Sequence, residues 1–477
     1  MQFNAQRIYK FDSFLPIYNW LYPLSGRRAH RPDNPSRNSS LELIAHAELK
    51  SRALYVHVPF CETICSFCPF VRGEYRDSSL IEAYTKAIIS EITRKGAILN
   101  RHRQVSVRSI FVGGGTPSIL KPEQARNIIE ALKNNFDVSQ LEEFSFEFEV
   151  KSITEELAET LRDCGVTHAR FGLQTFDTNY RNLFSLTSTV EQIERAATML
   201  PKYFRYVSCD LLYGMNGQTD VQFVSDIKRV TDLGLNNIDF YPINNVVTQK
   251  KLHAAFRKQN LAPISGMTKF YMNAALRQIM LSRGFLPHNG HGYVRCDAGE
   301  LRLNPVVTKK YSFVYHEHVY GYNGCDVIGF GVNAISSTQG FVLCNEPSRE
   351  KYIRDINNKG QFVFTVFEHS KEIDAARPIC LHLPYHGEVD LMDTEWSLVP
   401  DDIKTKIDAL LESDLLTANG TRLALTLDGW HWYTNIMYWL LPKLERMAVD
   451  TMIKQTLKTP GRTIEETSVP MTAELPT

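Results

Sequence analysis

Three cysteines in one short segment have the most informative spacing in this chain. Cys61, Cys65 and Cys68 stand in the segment CETICSFC, directly after the apolar run ALYVHVPF at residues 53–60. Thiolates are ligands for zinc and for iron–sulfur clusters. A structural zinc ion would need a fourth ligand, which His57 could supply. A [4Fe–4S] cluster held by only three thiolates would keep one iron open for a substrate, so these cysteines are the candidate catalytic and metal-binding residues.

The remaining cysteines carry less information, because they are scattered singly along the chain. Nine cysteines are an odd number, and the N-terminus lacks the apolar core of a signal peptide, which argues against a disulfide framework. We interpret the six others as small buried hydrophobes: Cys164, Cys209, Cys296, Cys325, Cys344 and Cys380.

A second group of candidates consists of glycines and polar residues that follow predicted strands. The run Gly113, Gly114, Gly115 and Thr116 follows the segment VRSIFV, between a predicted strand and a predicted helix. Further polar residues lie in or at the ends of the next four predicted strands: Glu149, Arg170, Gln174, Asp210 and Tyr241. Polar groups at the ends of buried strands are costly unless they bind something, so we predict that this set lines a binding site.

Strands and helices alternate through the first half of the chain. Apolar strand-like runs are predicted at 53–60, 107–115, 143–150, 168–174, 206–214 and 237–243. Helical periodicity is predicted at 79–99, 121–135, 154–164, 189–199 and 219–233. This rhythm predicts an α/β fold with a parallel sheet of at least six strands, curved into an open or closed barrel. The chemistry of such a sheet lies at the carboxyl ends of its strands.

The rhythm changes after about residue 245. A helix is predicted at 266–283, followed by an irregular stretch rich in glycine and aromatic residues at 284–345. The segment 398–450 is helix-rich and has the pattern of a small helical or winged-helix module. We divide the chain into an N-terminal extension (1–50), a barrel core (51–290), a pocket region (291–375), a C-terminal domain (376–455) and a disordered tail (456–477).

Composition excludes some classes of function. Lys plus Arg and Asp plus Glu both number 53, so the net charge is zero, which argues against nucleic-acid binding by bulk charge. The hydrophobic share of 43% is ordinary for a globular protein, and no segment is apolar enough to span a bilayer. We therefore expect a cytoplasmic protein without a membrane span.

Several motifs together resemble the HemN-like family of the radical S-adenosylmethionine (SAM) superfamily. They are YVHVPFCETICSFCPF, FVGGGTPS, RFGLQTFD, DLLYGMNGQT and DVIGFGVNAIS, within about residues 53–360. The resemblance implies a partial (β/α)6 barrel with a small C-terminal domain, and a [4Fe–4S] cluster whose open iron binds SAM. It also implies a catalytic role for Tyr55 and a cofactor contact for Phe67. A second SAM would be bound with help from the segment 326–336, where Gly329, Gly331 and Ile335 are the candidate contacts.

The chain departs from two branches of this family. The coproporphyrinogen oxidases have a further cysteine two residues after the last ligand, where this chain has Phe70. Their later SAM-binding arginine is replaced by Leu186, with Arg181 the nearest candidate. The HNxxYW-type motif of the haem-binding relatives is not reproduced at 315–324. The methyltransferase branch is therefore the closest, with an oxidase or a non-catalytic haem-trafficking protein as alternatives.

The activity that this branch implies is radical chemistry on a flat substrate. The reduced cluster would split SAM to a 5′-deoxyadenosyl radical, and a methyl group would reach an sp² carbon of a conjugated substrate such as a tetrapyrrole. The aromatic stretch 284–325 would line the pocket for it. A reductant such as flavodoxin would supply the electron. A quinone or another polyaromatic compound fits such a pocket equally well.

Overall fold

The computed structural model describes residues 3–4, 10–11, 22–28, 39–45, 49–68, 70, 73–74, 77–243, 250–311, 313–321, 324–359 and 364–457. Within these residues, thirteen strands form one sheet. Its centre is made of six parallel strands, each close to a segment predicted from the sequence. In chain order, which is also their order in the sheet, they are β1 (Ser51–Val58), β2 (Val107–Gly114), β3 (Glu143–Phe148), β4 (His168–Gln174), β5 (Tyr206–Tyr213) and β6 (Asn237–Pro242).

Helices connect the successive strands, which confirms the predicted α/β fold. The connecting and following helices are Ser78–Leu99, Pro122–Asn135, Glu155–Asp163, Thr178–Leu183, Val190–Met199, Asp220–Asp232, Lys250–Lys258 and Gly266–Ser282. Three of them begin where a threonine hydroxyl accepts a hydrogen bond from the first turn: Thr154, Thr189 and Thr219. Such residues end the preceding loop and start the helix, which is why the predicted boundaries lie within one residue of the observed ones.

The strands of the sheet have two different faces. Alternate residues, such as Phe144, Phe146 and Phe148 of β3, belong to the large apolar core. The residues between them point to the opposite face and include polar side chains such as Glu147. Successive side chains of a strand point to opposite faces, so one face packs apolar residues while the other can carry a site.

The stretch predicted to be irregular, 284–345, instead extends the sheet on both sides. Phe285–Pro287 and Gly292–Arg295 add antiparallel strands beyond β6. Cys325–Phe330 pairs in parallel with β1, and antiparallel strands follow it. The further strands are Ile335–Thr338, Phe341–Asn345, Phe364–Glu368 and Arg27–Arg28, and the helices of this region are Ala298–Leu303, Val314–Val319 and Arg349–Lys359. Apart from Cys325–Phe330, these added strands have only two to five residues, which is too short for periodicity to reveal. The proposed boundary at residue 290 thus falls within one continuous sheet.

The C-terminal part has its own hydrophobic core, with members that include Ile403, Leu410 and Ile436. A three-stranded sheet lies among its helices, as in the winged-helix type that was predicted: Glu388–Asp390, Arg422–Leu425 and Leu416–Asn419. The helices are Lys371–Arg377, Leu383–His386, Asp401–Glu412, Leu427–His431, Tyr433–Leu440 and Lys443–Leu457.

Residues from early and from late described segments belong to this C-terminal core, among them Phe11 and Ile453. Phe11 and Tyr22 from the predicted N-terminal extension belong to it. The Tyr22 hydroxyl donates a hydrogen bond of 2.6 Å to the carbonyl of Ile373. The last helix extends to Leu457, beyond the predicted start of the tail, and residues 458–477 lie outside the described residues. Among the described helices, none is long and apolar enough to cross a membrane.

Candidate active site

A cavity of about 190 Å³ opens at the carboxyl ends of the parallel strands. Eleven of the seventeen predicted site residues line it: Cys61, Cys65, Cys68, Phe67, Gly114, Gly115, Thr116, Glu149, Arg170, Gln174 and Asp210. Segments that are far apart in the sequence therefore share one pocket. This is the placement expected for a ligand site of a parallel α/β sheet.

The cysteine loop is fixed by contacts with a neighbouring helix. Cys61 ends the short strand Phe60–Cys61, which pairs with Gly73–Glu74. Buried Ser66 donates from its backbone N–H to the carbonyl of Phe184 at 2.9 Å and from its hydroxyl to the carbonyl of Leu183 at 2.8 Å. These bonds hold the loop between Cys65 and Cys68 in place. Cys61 itself is buried, whereas the other two cysteines are partly exposed.

The geometry of the loop bears on the choice between zinc and an iron–sulfur cluster. Among the described residues, no group of three His, Cys, Asp or Glu side chains has the geometry to hold a single metal ion. A [4Fe–4S] cluster places each thiolate on a different iron, so its ligands need to share a cavity but not to converge on one point. His57, the proposed fourth zinc ligand, is buried with its Nδ1 2.8 Å from the Tyr55 hydroxyl. The three thiols around one cavity fit the cluster.

The glycine motif lets the main chain of β2 approach the cysteine loop closely. Gly114 has a φ of +113°, which side-chain-bearing residues rarely adopt. A Cβ atom on Gly115 would lie 2.8 Å from the carbonyl oxygen of Val58 and 2.7 Å from that of Phe60. Only glycine fits between this turn and the chain that leads into Cys61. Close packing therefore explains the glycine at this position, in addition to any role in binding.

Glu147 is a residue of the cavity that the sequence analysis missed. Its carboxylate accepts a hydrogen bond of 3.0 Å from the backbone N–H of Gly114, and burial raises its pKa. The signal was present in the segment EFSFEFEV, because Glu143, Ser145, Glu147 and Glu149 alternate with apolar residues. Alternation predicts one shared face for these residues, and in the structure Glu143, Ser145 and Glu147 lie on β3 while Glu149 follows it.

Glu149 itself lines the cavity but is turned towards its own loop. It accepts a hydrogen bond of 3.0 Å from the backbone N–H of Lys151. Burial raises the pKa of this carboxyl, and the nearby Lys151 opposes the effect. Glu149 thus orders the turn after β3 while contributing to the wall of the pocket.

A buried arginine joins three strands at the base of the cavity. Arg170 on β4 forms an ion pair with Asp239 on β6 and a longer one, 3.5 Å, with Asp210 on β5. Its guanidinium also lies over the ring of Phe313, 4.4 Å from the ring centre. Burial raises the pKa of Asp210 to about 7, with repulsion from Asp239 and Glu147 adding to the effect and Arg170 opposing it. Asp239 was not predicted, although it alternates with Ile238 and Phe240 as β6 requires.

The loop after β4 shows why Arg181 cannot replace the missing arginine. Arg181 is buried and donates hydrogen bonds to the carbonyls of Leu173, Thr175 and Ser188. It is absent from the residues that line the cavity, whereas Leu186 is among them. Gln174 faces this wall with a φ of +69°, an unusual conformation that tends to occur at functional sites.

Six predicted site residues do not line this cavity: Gly113, Tyr55, Tyr241, Gly329, Gly331 and Ile335. Gly113 stands one residue before the lining glycines, and a Cβ atom there would lie 2.7 Å from the Glu147 carboxylate. Tyr55 belongs to an aromatic group with Phe111 and Tyr315 inside the barrel. Tyr241 contacts the ring of His291. The catalytic role of Tyr55 and the SAM contacts of the other five residues remain predictions.

The segment 326–336 is held by a network of buried polar side chains. Glu91 accepts hydrogen bonds from the backbone N–H of Gly331 at 2.8 Å and from the Tyr352 hydroxyl at 2.5 Å. Lys95 pairs with Glu91 at 2.7 Å and donates to the carbonyl of Gly329 at 2.8 Å. A network in which each charge is paired rigidifies its surroundings, so this segment is fixed relative to β1, to which it is paired.

A second, separate cavity of about 440 Å³ lies against the aromatic stretch. It is lined by His288, Tyr311, Phe313 and, from the C-terminal part, His386. Burial lowers the pKa of both His288 and His386 to about 3, so these imidazoles are neutral near pH 7. Tyr311 contacts the ring of His168, the first residue of β4, and Phe313 lies against the guanidinium of Arg170, which lines the first cavity.

Comparison with known proteins agrees with this site. Residues 55–230 match the model of the Radical SAM superfamily. The chain is 25% identical over 370 residues to the oxygen-independent coproporphyrinogen III oxidase of Salmonella typhimurium, covering 75% of this chain and 77% of that protein. It is 29% identical over 233 residues to the anaerobilin synthase of Escherichia coli O157:H7, covering 46% and 52%. It is also 29% identical over 195 residues to the haem chaperone HemW of Lactococcus lactis, covering 41% and 49%.

The chain thus matches only about half the length of two of these relatives. Among solved structures, coproporphyrinogen III oxidase (HemN) from Escherichia coli superposes with a TM-score of 0.70 at 20% identity, covering 85% of this chain and 93% of that one. The parallel barrel with three cysteines at its mouth is that of a radical SAM protein. Within this superfamily, the chain is similar to HemN-like proteins, and the Radical SAM match implies a [4Fe–4S] cluster and SAM.

Proposed function

We propose that this protein is a HemN-like radical SAM methyltransferase that acts on an sp² carbon of a conjugated substrate such as a tetrapyrrole. When bound, the cluster and SAM supply the radical chemistry, and the protein supplies binding, orientation and exclusion of water. Cys61, Cys65 and Cys68 would hold the cluster, while Gly114, Gly115 and the polar set of the cavity would hold SAM.

The observation that carries this proposal is the composition of the cavity wall beside the cysteines. Phe70 lines the cavity, with 59% of its surface exposed, where the oxidase branch would have a further thiol. Leu186 lines it where that branch would have an arginine. An apolar wall suits a flat conjugated substrate, since aromatic surface is buried favourably against aromatic surface. The similarity to an anaerobilin synthase, whose name denotes a tetrapyrrole product, also supports this substrate class.

A second SAM is part of the proposal. The segment 326–336 lies beside β1, where Gly329 pairs with Tyr55. The network of Glu91 and Lys95 holds it there without using the site's own polar residues. Gly329, Gly331 and Ile335 therefore remain the proposed contacts of the second SAM, with Tyr55 on the neighbouring strand.

The experiment follows the methyl group of SAM. Protein with a reconstituted cluster is incubated anaerobically with methyl-labelled SAM, a tetrapyrrole and a reducing system such as flavodoxin with its reductase. We expect 5′-deoxyadenosine, S-adenosylhomocysteine and label in the tetrapyrrole. A protein that yields 5′-deoxyadenosine and neither of the others would not be a methyltransferase.

The alignment with the oxidase over 75% of this chain supports a second candidate, a coproporphyrinogen oxidase-type enzyme. Loss of carbon dioxide from coproporphyrinogen, with 5′-deoxyadenosine formed and no S-adenosylhomocysteine, would identify it. A haem-trafficking role would show as haem retained by the protein without any cleavage of SAM.

A further inference from the structure

We propose that Lys151 binds the carboxylate of the SAM molecule at the cluster. The other cationic side chains near the cavity already bind buried groups of the protein itself. This inference rests on the proposed function to the extent that SAM binds in this cavity. Lys151 follows β3, and its side chain lines the cavity together with the three cysteines.

The balance of charge in the cavity calls for such a residue. Four carboxylates are among its described lining residues, at Glu62, Glu147, Glu149 and Asp210. SAM has a cationic sulfonium and an amino group, which these carboxylates attract, but it also has a carboxylate, which they repel. A carboxylate in such surroundings is stabilised by a cation that can hydrogen-bond to it.

Among the described residues that line the cavity, two have cationic side chains, and they differ in whether they can bind an incoming anion. Arg170 is 3% exposed and holds Asp210 and Asp239 at the base of the pocket. Releasing its guanidinium would leave the buried carboxylate of Asp239 without its partner, which is strongly unfavourable. Arg170 is thus a poor candidate for binding an incoming anion.

Lys151 is placed differently. Its Nζ lies 3.1 Å from a carboxylate oxygen of Glu62, and the two side chains are 20% and 51% exposed. Because the pair is partly exposed on the Glu62 side, its contribution to stability is modest, so the ammonium can exchange this partner for the carboxylate of a ligand. Glu62 is adjacent to Cys61, so the exchange would occur next to the proposed cluster.

The backbone at Lys151 is also fixed. The carboxylate of Glu149 accepts from the backbone N–H of Lys151, and the hydroxyls of Ser118 and Ser152 lie 2.6 Å apart. The stem of the lysine side chain therefore starts from a defined position, and only its flexible end needs to move. This is the arrangement of a ligand-binding lysine on an ordered turn.

The test compares two ligands that differ in the carboxylate alone. SAM and decarboxylated SAM are bound to protein with a reconstituted, oxidised cluster, and dissociation constants are measured by anaerobic equilibrium dialysis. We expect Lys151→Met to weaken SAM binding by about 10- to 100-fold, the value of one charge-assisted hydrogen bond, and to leave decarboxylated SAM within about threefold of wild type.

Two further variants complete the design. Lys151→Arg should bind SAM much more tightly than Lys151→Met, and Lys228→Met, at an exposed lysine of the helix Asp220–Asp232, should bind both ligands as wild type does. Iron and sulfide content equal to wild type shows that the cluster is intact. If Lys151→Met binds SAM as tightly as wild type, or loses both ligands equally, the assignment is wrong.

Failure of this inference and failure of the proposed function give different results. Wild-type protein that binds SAM but transfers no methyl group overturns the methyltransferase proposal and leaves the role of Lys151 intact if the two ligands still differ in the variant. Wild-type protein with a full cluster that binds no SAM overturns both.

Discussion

The carboxylate of Glu147 accepts a hydrogen bond from the backbone N–H of Gly114 at 3.0 Å. This contact joins the third parallel strand to the glycine motif that follows the second. Because Gly114 has a left-handed backbone and Gly115 lies against the chain leading to Cys61, the bond fixes the turn that forms one wall of the cavity.

Replacement of Glu147 by Ala should therefore weaken SAM binding. The Gly114 N–H would lose its buried partner, at a cost of about 1–3 kcal/mol, and the glycine turn would shift. We expect a dissociation constant for SAM raised by about tenfold with unchanged iron content. Glu159→Ala, at an exposed position of the helix Glu155–Asp163, is the matched control and should bind SAM normally.

Replacement of Cys65 by Ala should abolish both the visible absorbance of the cluster and all cleavage of SAM. Loss of one of three thiolates leaves an iron without its protein ligand, and the cluster has no further cysteine in the described lining of the cavity to replace it. Cys344→Ala, on the strand Phe341–Asn345, should keep its cluster. SAM cleavage at the wild-type rate by Cys65→Ala would contradict the cluster assignment.

The affinity for SAM should depend on pH through Asp210. Its pKa of about 7 is raised above the ordinary 3.8, so the carboxyl is largely protonated at pH 6 and ionised at pH 8. The ionised form attracts the cationic ligand, so binding should tighten as pH rises. Between pH 6 and pH 8 we expect wild type to gain up to about tenfold in affinity relative to Asp210→Asn. A constant ratio of the two dissociation constants would exclude this role.

Stability should depend strongly on the pair Arg52 and Asp326, which joins β1 to the start of the segment 326–336. Both side chains are fully buried, and the guanidinium binds the carboxylate through two nitrogens. Asp326→Asn would leave a buried positive charge without its counter-ion, which costs about 3–5 kcal/mol. Thermal unfolding should show a clear fall in the midpoint temperature.

Two variants serve as references for this prediction. The double replacement Arg52→Met with Asp326→Leu removes both charges and should recover most of the stability, because apolar residues can replace a buried ion pair. Glu82→Gln breaks an exposed pair with Lys86 and should leave the midpoint unchanged. If Asp326→Asn unfolds at the wild-type temperature, the pair does not stabilise the sheet.

Much of this site could be predicted from the sequence because its components are local. The spacing of Cys61, Cys65 and Cys68 predicts a loop that binds zinc or an iron–sulfur cluster, without knowledge of the fold. The alternation of apolar strands and capped helices predicted six parallel strands, and a parallel sheet necessarily brings its strand ends to one edge. Residues such as Gly114, Gln174 and Asp210 could thus be assigned to one pocket before their positions were known.

The tertiary structure decided which of several similar side chains take part. Glu147 lies on β3 and Glu149 comes two residues later, yet only the first contacts the glycine motif, while the second binds the backbone of its own turn. Arg181 is close in sequence to the position expected for the SAM-binding arginine. Its guanidinium, however, already donates hydrogen bonds to backbone carbonyls. The strand Cys325–Phe330 lies beside β1 although more than 260 residues separate them, from Val58 to Cys325. Such choices depend on contacts between distant segments, which local pattern and periodicity do not encode.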